Sequence, residues 1–220
     1  MSKSQEGVSN MSTGKSRNVV LAMGTAAATA GAADKETVNQ LIAKIKDSHP
    51  EVRTEAWLGA GSVGAAGVRP LAKVMTEEDL EVARAAKRAL WQIVRHAGRP
   101  GAEEERKAVA TRLARLLGDK QPVPVRREVL WMLSEIGKAG VVKPLARLLE
   151  NEDLREDARM ALERMPGKRS VTALKAALKT VPEKFKPNIA QSLRRRGQTV
   201  RGYPCAKLVP TRTTRVEPLK

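Results

Sequence analysis

An eleven-residue phrase returns along this chain at nearly constant spacing, and it limits the fold more than any other feature. It reads "PEVRTEAWLGA", "LEVARAAKRAL", "VPVRREVLWML", "EDLREDARMAL" and "EKFKPNIAQSL". Its first apolar positions are Val52, Val82, Val125, Leu154 and Phe185, separated by 30, 43, 29 and 31 residues. Apolar residues follow at offsets of four and eight: Ala56 and Ala60, Ala86 and Leu90, Val129 and Leu133, Ala158 and Leu162, Ile189 and Leu193. Offsets of four place these side chains on one stripe of a helix, a stripe that needs a partner to cover it. Repetition of such a unit predicts stacked units sharing one continuous core.

Each phrase follows a second, shorter one. "VRPLAKV" from Val68 and "VKPLARL" from Val142 are near copies, "TRLARLL" from Thr111 is a truncated one, and "VNQLIAKI" and "VTALKAAL" fill the slot at Val38 and Val171. The repeat is therefore a pair of helices, and the fold class is all-α. Pro70 and Pro144 fall in the first turn of their helices, where a missing N–H does no harm. Gly64, Gly98, Gly137, Gly167 and Gly197 mark helix ends. The long interval carries an insertion, "RHAGRPGAEEERKA", from Arg95 to Ala108. Aromatic residues make up only 2% of the chain, which suits close-packed helices of Ala, Leu and Val.

The second-helix phrase, apolar-Arg-x-x-Ala, resembles the HEAT-repeat class, and in particular its short bacterial form related to phycobilisome-lyase-type repeats. The resemblance runs from about Val38 to Gly197 and implies an α-solenoid of about five HEAT-like helix pairs over residues 34–197. It also implies a right-handed curved rod with first helices on the convex face and second helices on the concave one. Arg53, Arg126, Arg155 and Lys186 occupy the signature basic position and are expected to bond neighbouring turns. The family often sets an acid at the turn inside each pair. Asp47, Glu77, Asp119 and Glu150 sit in or near that place, and the last pair lacks one.

Two segments flank the repeats. Residues 1–33 hold Lys15 and Arg17 ahead of an uncharged stretch, Asn18 to Ala33, with small-residue cleavage options. The layout is that of a signal peptide, which would mean export to the periplasm or beyond. A disordered N-terminal arm on a cytoplasmic protein fits the same alanine- and threonine-rich residues. The stretch is too short and too weakly apolar for a transmembrane span. Residues 198–220 form a basic tail with Val200, Tyr203, Leu208, Val209 and Val216 set among prolines, suited to lie extended and cap the last repeat, or else to be an unstructured arm that orders on a partner.

Chemistry is sparse. The two histidines, His49 and His96, make no metal motif, and the iron-binding His-Glu pairs of HEAT-like deoxyhypusine hydroxylases do not occur. Cys205, the sole cysteine, has no histidine near it in sequence and reads as a bland small residue rather than a nucleophile. No cofactor fingerprint is present. The expectation is a non-catalytic, monomeric scaffold that binds another protein, one with an acidic surface. Its contacts are expected on the second helices, at Trp57, Arg84, Arg88, Trp91, Arg127, Trp131 and Arg159. The alternative is a nucleic acid or other polyanion. The net charge is +17, and between Pro166 and Lys220 only Glu183 and Glu217 oppose fourteen Lys and Arg. Lys184, Lys186, Arg194, Arg195, Arg196 and Arg201 are the polyanion candidates. For the run Arg194–Arg196 the plainer reading is solvated charge complementing the dipole of its own helix end.

Overall fold

The computed structural model describes residues 36–118 and 120–204; the N-terminal arm, Asp119, Cys205 and the rest of the tail lie outside them. Among the described residues α-helices follow one another without a strand. They are α1 (36–45), α2 (Pro50–Gly59), α3 (Val68–Val74), α4 (Leu80–Ala97), α5 (Glu103–Arg115), α6 (Val123–Ile136), α7 (Val142–Arg147), α8 (Arg155–Arg164), α9 (Lys168–Thr180) and α10 (Lys186–Arg195). Short 3-10 turns at Ala60–Ala66, Ala139–Val141, Leu148–Glu150 and Glu183–Phe185 adjust the connections.

The helices form two layers. Second helices pack in series, α2 on α4, α4 on α6, α6 on α8 and α8 on α10. In the other layer α3 packs on α5, and α7 on α9. Within pairs α3 packs on α4, α5 on α6, α7 on α8 and α9 on α10. One apolar cluster runs between the layers from Leu41 to Leu193. The repeated stripe is its backbone: Val82, Val125, Leu154 and Phe185 are buried, and so are the residues four and eight positions after each. Val52 alone among the anchors is half-buried, because among the described residues its helix has a neighbour in the second-helix layer on one side only.

The insertion is helix rather than a free loop. It lengthens α4 and begins α5, and the connection between them is fastened by Arg99 to Glu105 at 2.8 Å. Asp79 caps α4, its carboxylate accepting from the N–H groups of Glu81 (2.9 Å) and Val82 (3.2 Å). Gly197 ends α10 in the left-handed region at φ 73°. The Gln198 N–H then reaches Leu193 O at 2.9 Å, and that of Gly197 reaches Arg194 O at 2.8 Å, the paired bonds of a Schellman end. This turn sends the tail back over the last pair, where Val200 packs on the core.

The expected ladder of turn acids and signature bases takes a different form. Arg53 donates to the backbone oxygens of Asp47 (2.7 Å) and Ser48 (2.9 Å), not to a carboxylate. The Asp47 carboxylate instead accepts from the His49 backbone N–H and lies against its ring, and those bonds hold its pKa below the ordinary value. Glu77 pairs with Lys46 of the preceding repeat at 2.5 Å. Arg155 turns to Glu152 (3.1 Å), two residues beyond the expected Glu150, and lies over the Phe185 ring. The last pair does have an acid: Glu183 pairs with Lys186. Arg126 is buried, 5% exposed, and Asp119, its expected counterpart, lies outside the described residues.

Candidate functional site

The second helices lie side by side, so residues at equal offsets from each anchor fall into rows. The residue two after the anchor reaches forward to the next helix, and the residue three after it reaches back. Arg127 donates from Nε to Asp157 Oδ2 at 3.0 Å and from Nη2 to the Asp153 carbonyl at 3.0 Å. Glu128 accepts from Trp91 Nε1 at 2.6 Å and lies 3.7 Å from Lys87 Nζ. Asn188 donates to Glu156 at 3.4 Å. Arg164 and Glu135 form a further tie between α8 and α6.

Three tryptophans mark the N-terminal part of this face. Trp57 on α2 is half-buried beneath Arg88 of α4, whose guanidinium carbon is 5.5 Å from the ring centroid. Trp91 sits likewise beneath Arg95, at 5.8 Å. Trp131 on α6 is 41% exposed. Leu58 and Leu80 are exposed nearby in sequence, on α2 and at the start of α4. A small cleft of about 210 Å³ opens between α4 and α6, lined by Met75, Leu80, Ala83, Arg84, Lys87, Pro124, Val125 and Glu128. Arg84 also pairs with Glu81 of its own helix at 2.6 Å. Arg88 and Arg95 have no ion-pair partner among the described residues.

The structure thus gathers Trp57, Arg84, Arg88, Trp91 and Trp131 on the α2–α4–α6 face. It gives Arg127 and Arg159 another task. Arg159 has only 12% of its side chain exposed and binds Glu156, Glu163 (2.8 Å) and Ser192 Oγ (2.5 Å), locking α8 to α10. Burial works against its charge, but the two carboxylates outweigh that and hold its pKa above the ordinary arginine value. Glu156 is held below the carboxylate range, first by its bond from Arg159. Burial pushes Glu163 upward, yet the Ser192 hydroxyl, Arg195 and Arg159 together bring it below its ordinary value.

These shifts have a sign in stability. Both carboxylates bind protons more weakly in the folded chain than in the unfolded one, so their contribution is present above the unfolded pKa and disappears as pH falls through the folded pKa. Hydrogen exchange in α8 and α10 is expected to speed up relative to α4 as pH falls below the ordinary glutamate value toward the lowered values of these two groups. A Glu163→Gln variant should show less of that pH dependence. A uniform loss of protection over all helices would speak against the lock.

Of the triple arginine, Arg195 keeps the solvated place expected at its helix end, and Arg194 and Arg196 do not. Arg194 donates to the carbonyls of Val200 (3.1 Å) and Tyr203 (2.7 Å) and fastens the start of the tail. Arg195 pairs with Glu163 at 3.0 Å. Arg196 crosses to the end of α8, where Nη1 faces the carbonyls of Leu162 (3.3 Å), Glu163 (2.9 Å) and Met165, and Nη2 that of Gly167 (3.2 Å). It caps a helix of the neighbouring repeat. Of the polyanion candidates, Lys184 and Arg201 are exposed and without a partner among the described residues; Lys186 is held by Glu183.

The acids that neutralise this face, Glu128, Asp157, Glu156 and Glu163, are what sequence reasoning missed. The signal was present: Glu128, Asp157 and Asn188 recur three residues after their anchors. Among the described residues no group of three His, Cys, Asp or Glu is placed to hold a metal ion, and no helix is long and apolar enough to cross a membrane.

No curated protein matches the chain in sequence. Solved structures with a related arrangement include an engineered protein, 22% identical over 72% of this chain and 78% of its own, with a TM-score of 0.40. Another is a computationally designed armadillo repeat protein for modular peptide recognition, 20% identical over 70% of this chain and 80% of its own, TM-score 0.41. A third, a designed armadillo repeat protein in complex with the peptide (KR)4, has the same identity, coverage and TM-score. Likenesses of this degree say nothing about what the chain binds. The family model described as HEAT repeats matches residues 68–164, from the first residue of α3 to the last of α8. Over those three helix pairs the chain matches the HEAT-repeat family.

Proposed function

We propose that the chain is a non-catalytic scaffold whose α2–α4–α6 face receives a segment of another protein. The exposed Trp131 carries the reading, because a large aromatic left open on a second helix, in the same layer as the helices of half-buried Trp57 and Trp91, is the composition of a contact surface. Arg88 and Arg95, stacked on tryptophans without an acid of their own, suit acidic side chains on the partner. The polyanion alternative draws on the net charge of +17, but Arg194, Arg195 and Arg196 are committed to internal bonds, which leaves the C-terminal pair a weaker claim.

Site-specific photo-crosslinking in the native cells separates these readings. A crosslinking residue at position 84 or 131 is expected to give a discrete protein adduct, and one at position 179 on α9 to give none. Identical adducts from all three positions would count against a defined face. Duplex DNA of random sequence should bind negligibly at about 50 mM salt; strong binding there that vanishes at about 300 mM would put the polyanion reading first.

A further inference from the structure

A second, chemically different site lies at the edge of the first-helix layer. Arg69 of α3, Arg112 and Arg115 of α5 and Lys120 of the α5–α6 connection line one cleft of about 590 Å³, together with Leu116, Gly118 and Gln121. All four cations are exposed, and none has an ion pair or hydrogen bond among the described residues. No described residue lining the cleft is acidic; Asp119, beside Lys120, lies outside the described residues. On the second-helix face, by contrast, Arg84, Lys87, Arg127, Arg159 and Arg164 each have a carboxylate within 4 Å, and Arg88 and Arg95 stack on tryptophans.

Helix ends account for only part of this cluster. Arg112 and Arg115 stand in the last turn of α5, where the dipole favours a cation. Arg69 is the second residue of α3, where the dipole disfavours one, and Lys120 belongs to no helix. Convergence of those two on the α5 arginines gathers four positive charges around a concave space with no acid among its described lining residues. Arg115 and Gly118 also line the adjoining cleft of about 460 Å³ with Arg126, Arg147 and Asn151, so the positive rim continues to α7.

We propose that the Arg69–Arg112–Arg115–Lys120 cleft binds a di- or triphosphate group. Guanidinium groups match phosphate oxygens two at a time, and three of them from two helices suit an anion with several phosphates better than a single carboxylate. The volume lies in the range of small-ligand sites rather than of a protein interface. The lining contains no aromatic residue on which a base would stack. Recognition is therefore of the phosphates, whether free or carried by a nucleotide.

Calorimetry with the full-length chain at about 50 mM salt tests this, with pyrophosphate as the probe and ADP as a parallel arm. Pyrophosphate is expected to bind, and the Arg69→Gln, Arg115→Gln double variant to weaken it at least about ten-fold through loss of charge-assisted hydrogen bonds. A Lys184→Gln, Arg201→Gln variant, which removes the same charge elsewhere, should change it less than about two-fold. Thermal melting verifies that each variant is folded, and Lys120→Gln serves as a second probe of the cleft if the double variant is not. Equal affinity for ADP and pyrophosphate identifies the free phosphate chain as sufficient; much tighter ADP binding assigns the ligand to nucleotides. Absence of pyrophosphate binding, or equal weakening by both double variants, overturns the proposal.

Discussion

Replacing Arg196 by alanine is expected to destabilise the C-terminal repeat by about 3 kcal/mol, far more than the same change at its neighbour Arg195. The guanidinium of Arg196 serves carbonyls that α8 leaves without a partner as it ends, those of Leu162 and Glu163, and then Met165 and Gly167 in the turn to α9. It also meets the hydroxyl of Ser170, which is fully buried. Removing it takes the charged donor from the half-buried carbonyls of Leu162 and Glu163, while those of Met165 and Gly167 keep the Ser170 hydroxyl at 3.0 and 3.1 Å. Arg195, by contrast, has 69% of its side chain exposed against Glu163 and should contribute less than about 1 kcal/mol. An Arg196→Lys variant restores the charge but not the fork, and should recover only part of the loss. Urea unfolding with hydrogen exchange in α9 and α10 is the measurement. If Arg195→Ala and Arg196→Ala unfolded at the same urea concentration, the inter-repeat cap would have no energetic meaning.

That arginine also shows where the sequence stops being readable. The pair-by-pair architecture was legible because each helix declares its own stripe: Val125, Val129 and Leu133 point inward whatever lies opposite. The same spacing placed Trp57, Trp91 and Trp131 on second helices, but not how far each is buried. What each polar residue touches did not follow, because it depends on how one pair seats on the next. Arg196 looked like charge on the end of α10, and only the stacking of α10 on α8 brings it to another helix's carbonyls. Arg127 and Arg159 looked available for a partner for the same reason, until Asp157 and Glu163 were placed beside them. The cleft of Arg69 and Arg115 lay equally out of sight, since its members come from consecutive first helices whose phrases differ in length.

Leu133→Ala is expected to cost about 3 kcal/mol, the loss typical of a fully buried leucine in a packed core. Leu133 has no exposed surface, and α6 is covered by α4, α5 and α8 together, so the gap has little room to close. Leu133→Met, which keeps the volume, should cost less than about 1.5 kcal/mol. The instructive comparison is with the first pair, where the equivalent position is already alanine, Ala60, and where Val52 is only half-buried. Val52→Ala should cost less than about 1 kcal/mol, because part of that side chain meets water before and after the change. In a stack held by nearest-neighbour contacts, a central loss weakens two interfaces and a terminal one weakens a single interface. Chemical unfolding monitored by the fluorescence of Trp57, Trp91 and Trp131 reads this gradient. Matching losses for Leu133→Ala and Val52→Ala would mean that the chain behaves as one undivided globule, and the nearest-neighbour account of its stability would have to be abandoned.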